Sequence, residues 1–228
     1  MGLAIAALLS GYAPPPSPPT AQQKLAPEGF PEAYYRQAEV SESQNVEKKI
    51  LRIEQALSLV TIEVRRGGLF TSLGHDHIVA SHHVTGYVDV DQGRADLYIP
   101  LDQLIVDEAA LRAEAGFTSQ PSADAIAGTR RNMLDKVLES GRYPHAFIQV
   151  AYANSDKSKL NVTITLHGMV KIFEVPAKIE TRPNGLKITG QMTFKQTDFG
   201  MTPLSILGGV IQVKDELVFN FRLVAASH

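Results

Sequence analysis

From residue 50 to the C-terminus, apolar and polar side chains alternate with a period of two over most of the chain. That is the period of a half-buried β-strand, whose successive side chains point to opposite faces. Residues 50–54, 58–66, 95–101, 146–153, 159–166, 170–181, 186–195 and 215–225 read as strands, and 77–90 holds a further alternating stretch. Turn residues punctuate them. Gly67-Gly68 ends the second, Asp91-Gln92-Gly93 is a turn, and Pro183-Asn184-Gly185 is a tight hairpin signal. Short connections make neighbouring strands antiparallel.

Each strand carries one apolar face. Val84, Gly86, Val88 and Val90 share a side, as do Leu97, Ile99 and Leu101. Leu160, Val162, Ile164 and Leu166 form another set, then Leu186, Ile188, Met192 and Phe194, then Leu217, Phe219 and Phe221. Opposite them stand Thr163, Lys187, Thr193, Lys195, Asn220 and Arg222, and Lys and Arg are almost never fully buried unpaired. About eight such strands predict an all-β antiparallel sheet curled over a shared interior, either a sandwich or a closed barrel. An eight-stranded barrel can be filled by side chains or can hold one small ligand, and pattern alone leaves both open. The residues expected to face that interior, and to line any ligand there, are Val88, Val90, Val162, Ile164, Ile188, Met192, Phe194, Phe219 and Phe221.

The alternation lapses over residues 107–140, which read as a helical insert. Asp107-Glu108 opens a short helix. Ser122 caps a longer one, whose apolar stripe of Met133, Leu134, Val137 and Leu138 packs on the domain. Gly141 and Pro144 close the insert.

Before residue 50 the pattern disappears. Residues 1–12 resemble the apolar part of a secretory signal peptide, without the basic residues that usually lead it. Leu8-Leu9-Ser10-Gly11 resembles the lead of a lipoprotein box, but Tyr12 stands where that motif has its lipid-bearing Cys. Five prolines between Pro14 and Pro19 cannot join a helix or a ladder, so 13–49 reads as a Pro-rich and polar linker with a short helix near 32–38. Residues 12 to about 45 are expected to be mobile, with a protease-resistant core starting near 46–50.

Composition narrows the chemistry. The chain has 228 residues, a net charge near −2 and no cysteine, which excludes disulfides, thiolate metal sites and a Cys nucleophile. Nothing in the charge points to a nucleic-acid partner. Arg65-Arg66 and Arg130-Arg131 read as solvated pairs.

The stretch "LGHDHIVASHH", residues 73–83, is the candidate for chemistry. In a strand His75 and His77 share a face about 7 Å apart, which suits a metal-ligand pair. His83 lies about 20 Å further along, and His82 and Asp76 have the opposite parity, so a third ligand would have to come from His145, His167 or Asp198. Two other readings compete: imidazoles hydrogen-bonded at the rim of the fold, and polar contact with a ligand headgroup. "DFG", residues 198–200, lacks the phosphate and catalytic loops of a kinase, and Asp198 reads as a turn residue.

The order of motifs resembles a known family. "GHDH", "RRNMLDKVLESGRYPHAFIQ", "VTITLHGMVKIFEVPAKIE", "GLKITGQMTFKQTDFGM" and "DELVFNFRLVA" are similar to segments of the YceI-like polyisoprenoid-binding family, over roughly residues 50–226. His82-His83 departs from the apolar run usual there. The resemblance implies an antiparallel eight-stranded lipocalin-like β-barrel over 50–228. Its lumen would bind a long isoprenoid lipid, such as an isoprenoid quinone, in the periplasm or outside the cell, with no catalytic residue and no required cofactor. A transient contact with a membrane surface and a homodimer fit that reading. Two alternatives stand beside it: a metal-dependent enzyme using His75 and His77, and a protein-interaction module with a filled barrel.

Overall fold

The computed structural model describes residues 26–42, 49–67, 75–153, 158–206 and 211–227. The signal-peptide-like segment 1–12, the prolines at 14–19, and Gly68 and Gly74 lie outside them.

Helix α1 (Glu32–Glu42) precedes the barrel. Strands β1 (Ile50–Ile53) and β2 (Leu59–Val64) are one run broken by a 3₁₀ turn at Gln55–Leu57. β3 (Arg66–Gly67) leaves the wall. β4 (His77–Ser81) and β5 (Thr85–Asp89) are a second broken run. β6 (Arg94–Pro100) leads through a 3₁₀ turn to β7 (Ile105–Val106). Helices α2 (Ala109–Glu114) and α3 (Ala123–Asn132) form the insert, and α3 runs on as a π-helical turn at Met133–Val137. Then come β8 (His145–Tyr152), β9 (Lys159–Leu166), β10 (Met169–Arg182) and β11 (Gly185–Lys195). β12 (Ser205–Ile206) and β13 (Ile211–Val213) join β3 in a small side sheet, and β14 (Glu216–Ala226) ends the fold.

Around the wall β5, β6, β8, β9, β10, β11 and β14 pair in that order, all antiparallel. β1 pairs with both β5 and β14, and β2 pairs with both β4 and β14, so the sheet closes on itself as an eight-stranded barrel. The sandwich alternative is thereby excluded.

The stretch read as one alternation over 77–90 is two strands, and its inward face changes between them. His77, Val79 and Ser81 face the lumen from β4, whereas Val84 and Val88 do so below. The step falls at His82-His83, where the pairing partner changes from β2 to β1. Gly86 is required just beyond: its φ is +151°, and a Cβ there would lie 2.1 Å from the Asp96 carbonyl oxygen of β6.

The linker expectation for 13–49 is corrected over residues 26–42. Pro31 and Glu32 start α1 as expected of a helix N-terminus, and the helix lies against the outer face of β5 and β6. Tyr35 is fully buried there with Ile50 and Tyr87, and Phe30 and Tyr34 pack around them. The Tyr35 and Tyr87 rings stack at 4.7 Å. Each hydroxyl finds a carboxylate: Tyr34 donates to Asp89 at 2.6 Å, Tyr35 to Asp96 at 2.5 Å and Tyr87 to Glu32 at 2.9 Å. Three aromatics in six residues supply the apolar area that a polar linker lacks, so this segment is ordered.

The insert sits over one end of the barrel, here termed the upper end. Ser122 caps α3 by accepting from the Ala125 N–H at 3.3 Å, as its position predicts. Arg130 is not a solvated residue: its Nε donates to the Leu104 carbonyl at 3.0 Å and its Nη2 donates to that of Asp102, clamping α3 to the turn after β6.

Candidate functional site

The inward side chains of the barrel do not fill it. An upper compartment of about 320 Å³ lies under the insert, and a lower one of about 110 Å³ lies beyond it. Val60, Ile99, Ile148, Ile164 and Phe219 border both, so the two are consecutive chambers separated by an apolar belt. The upper volume falls at the small end of the 300–1,000 Å³ or so typical of ligand pockets. The stripe on the insert forms the upper lid, with Met133, Val137 and Leu138 lining the chamber.

Eight of the nine residues predicted to face a ligand border these chambers. Phe194 lines the upper one, Ile164 and Phe219 line both, and Val88, Val162, Ile188, Met192 and Phe221 line the lower. Val90 lines neither: it lies in the turn after β5, its N–H donates to the Lys49 carbonyl, and its side chain packs on the core. Gly190 falls at an inward position between Ile188 and Met192, and a Cβ there would sit 2.4 Å from the Phe221 ring. The missing side chain leaves room for that ring.

Most of the polar lining lies at the upper end. Arg66, His75, His77, Ser81, Thr129, Asn132, Gln196 and Gln212 border the upper chamber, while Arg94 and Tyr152 are the polar side chains on the lower one among the described residues. Among the described residues no carboxylate lines either chamber.

At this mouth the histidine-rich stretch is tied to the start of the insert. His77 Nδ1 lies 2.6 Å from Asp107 Oδ2, and His82 Nε2 lies 2.9 Å from Glu108 Oε2. Asp107 was expected to begin a helix. Instead it takes a left-handed conformation at φ 59°, with its side chain wholly buried, and α2 starts at Ala109. Its Oδ1 accepts from the Ile78 N–H at 3.1 Å and from Arg112 Nη1 at 2.5 Å. Arg112 is also buried, and the same Nη1 reaches the Asp76 carbonyl at 2.7 Å. Burial alone would raise the Asp107 carboxyl; the hydrogen bonds from His77, Ile78 and Arg112 outweigh it and hold it below the usual carboxylate range. Asp107 is therefore a carboxylate, an acceptor only, and His77 Nδ1 carries the proton between them.

Among the described residues the other sequence candidates add no side-chain hydrogen bond to Asp107. His75 is exposed with its ring 6.4 Å from that of His77, and His83 is exposed. His145 sits against Tyr98 and Phe147, and His167 against Tyr143, with Nδ1 3.2 Å from the Phe199 carbonyl. Asp198 accepts from the Lys195 N–H at 3.0 Å, a turn role as expected. Asp76 accepts from the Arg66 N–H and sits 3.7–3.8 Å from the Arg65 and Arg66 guanidinium groups. Among the described residues no three His, Asp or Glu side chains are grouped to hold a metal ion. Sequence reasoning missed Asp107 and Arg112. The only local signal was a charged pair five residues apart beside the insert, and pairing across the mouth is not visible in spacing.

Comparison with known proteins agrees with this architecture. The YceI-like domain family model matches residues 51–225. A polyisoprenoid binding domain from Saccharophagus degradans, implicated in plant cell wall breakdown, is similar in structure at TM-score 0.58 and 12% identity, covering 78% of this chain and 98% of that one. Burkholderia cenocepacia BcnA is similar at TM-score 0.51 and 17% identity, covering 75% and 98%. No match is found among curated protein sequences. The family model spans most of the chain, and the closed barrel agrees with it: this chain belongs to the YceI-like domain family.

Proposed function

We propose that the protein binds a long-chain isoprenoid lipid in its barrel lumen and carries or stores it in the cell envelope, without catalysis. The observation that carries this reading is the pair of consecutive apolar chambers whose polar lining is concentrated at the upper end. Such a space suits an amphiphile whose tail threads the belt at Ile164 and Phe219. Each CH₂ of the tail removed from water contributes about 0.8 kcal/mol, so affinity comes from length and shape. The Saccharophagus neighbour, a polyisoprenoid binding domain, supports isoprenoids over other tails, and isoprenoid quinones belong to that class. Export rests on the apolar lead at 1–12, and residence in the periplasm or outside the cell follows from it.

The test is organic extraction and mass spectrometry of protein purified without detergent. Wild type is expected to yield a co-purifying isoprenoid and Phe194→Glu to yield none, because a carboxylate on the tail path must be desolvated. Folded wild-type protein that neither co-purifies with an isoprenoid nor takes one up would overturn the reading and favour the filled-barrel interaction module.

A further inference from the structure

The upper mouth contains a histidine with one nitrogen committed and the other not. Resting on the lipid reading above, we propose that His77 is the headgroup receptor, and that it selects a head donating a hydrogen bond, namely a hydroxyl on an isoprenoid alcohol, phenol or quinol. A head of the same shape that can only accept, such as a quinone, ester or ether, is bound less tightly.

His77 projects inward from β4 and lines the upper chamber with its side chain 15% exposed. Asp107 holds its Nδ1 at 2.6 Å, and the Asp107 carboxylate is in turn fixed by the Ile78 N–H and the buried Arg112. This anchoring sets the ring plane and the tautomer. In the neutral ring the proton sits on Nδ1, and the lone pair is presented at Nε2. Among the described residues no group hydrogen-bonds that nitrogen, and the His75 ring lies 6.4 Å away between centroids. A lone pair inside a largely apolar chamber is a group that a ligand must satisfy or leave desolvated.

The neighbouring polar residues do not make the same choice. Thr129 and Asn132 of α3 and Gln212 of β13 border the chamber, and each can donate or accept. They can serve any polar head. Arg66 can only donate, but its guanidinium lies 3.8 Å from the Asp76 carboxylate and faces that partner, so the direction of the bond is set by the oriented imidazole. Among the described residues the lower end of the lumen holds no histidine, and its Arg94 is paired with Asp96, which sets the orientation of the ligand: head under the insert, tail toward Phe221 and Met192.

The experiment uses delipidated full-length protein at pH 8 and two probes of equal chain length, geranylgeraniol and its methyl ether. They are supplied together in equal amounts, and the bound ratio is read by native mass spectrometry. Wild type is expected to retain the alcohol about ten-fold over the ether, the size of effect of one net hydrogen bond. His77→Phe keeps a ring and removes the acceptor, so its ratio should fall to near one while the ether is still retained. His77→Gln restores an acceptor oxygen and should recover part of the preference. Equal retention of both probes by wild type, or an unchanged ratio in His77→Phe, would overturn the headgroup assignment and leave the lumen reading standing. Retention of neither probe by folded wild type would overturn both.

Discussion

Two buried carboxylates, Asp96 on the outside of the barrel wall and Asp107 at its mouth, are handled in nearly the same way. Asp96 is 1% exposed and accepts from the Tyr35 hydroxyl and from Arg94, whose Nε and Nη2 reach it at 2.6 and 3.1 Å. Asp107 accepts from a histidine, an arginine and a backbone N–H. In both, a buried charge is matched by a guanidinium and a second oriented donor, as burial demands. What differs is the far side of the donor. The Tyr35 hydroxyl spends its one proton on Asp96, and its ring is stacked on Tyr87 in a filled cluster. His77 has a second nitrogen, and beyond it lies the upper chamber. One network stops at packed protein and fastens α1 to the wall. The other stops at open space and presents an atom to whatever enters. The same wall is thus filled on one face and hollow on the other, and that contrast separates structural from ligand-directed polarity.

The sharpest break of the comparison is at the carboxylates themselves. Asp107→Asn leaves Arg112 buried without its counter-charge, and the expected loss near pH 7 is about 3–5 kcal/mol, measurable by urea unfolding. The pH dependence has a definite sign. Asp107 is held below its unfolded value, so its contribution is present above about pH 4 and is lost as pH falls through the depressed folded value. The stability gap between wild type and Asp107→Asn should therefore narrow below pH 4. A gap constant from pH 6 to pH 3 would contradict the ionised assignment.

Truncation on the filled face should cost nearly as much. Tyr35→Ala removes a fully buried ring and the proton donated to Asp96, for an expected loss of about 3–5 kcal/mol. The protease-resistant core should then begin after α1 instead of before it. Unchanged proteolysis would mean that α1 is not held by this ring.

The hollow face should respond less. Phe194 and Phe199 touch edge to face at 5.4 Å, but Phe194 borders the chamber and Phe199, with no exposure, borders neither chamber. Phe199→Ala opens a new cavity and should approach the usual cost of about 3–5 kcal/mol, whereas Phe194→Ala widens existing space and should cost at least about 1 kcal/mol less in delipidated protein. Lipid retention should move in the opposite order. Equal stability losses would indicate a lumen that is filled in solution.

The strands and their inward faces were legible in the sequence because period two is a local property. Leu160, Val162, Ile164 and Leu166 on β9, and Leu217, Phe219 and Phe221 on β14, face the lumen as their alternation predicts. Three features were not legible, each for a non-local reason. The change of inward face at His82-His83 depends on which strand lies alongside. Asp89 and Asp96 point outward and carry no local sign of burial; they become buried because α1 arrives from upstream. Asp107 read as a helix start, and its left-handed turn is stabilised by His77 and Arg112, thirty residues before and five after. The histidine cluster drew attention to the right place for an incomplete reason. His77 and His82 fasten the insert, and among the described residues it is His77 that combines a carboxylate-anchored ring with a second nitrogen at the chamber.

The smallest effect isolates a single proton. Tyr35→Phe keeps the stacked ring and removes only the hydroxyl, and Asp96 retains both bonds from Arg94, so the loss at neutral pH should be about 1 kcal/mol. Its pH dependence runs opposite to that of Asp107. Burial, and then the bond to Asp96, push the Tyr35 hydroxyl above the ordinary phenol range. A raised folded value means that the neutral form is favoured by folding. The contribution is therefore complete below about pH 10, where the unfolded phenol begins to ionise, and is lost as pH rises above that toward the folded value. Wild type should lose stability between pH 9 and pH 11 faster than Tyr35→Phe, and the two thermal midpoints should converge. Tyr34, whose hydroxyl is also raised by its bond to Asp89, is common to both proteins and cancels in the difference. Parallel curves across that range would mean that the Tyr35 proton is not committed to Asp96, and the outer carboxylate would lose its resemblance to the inner one.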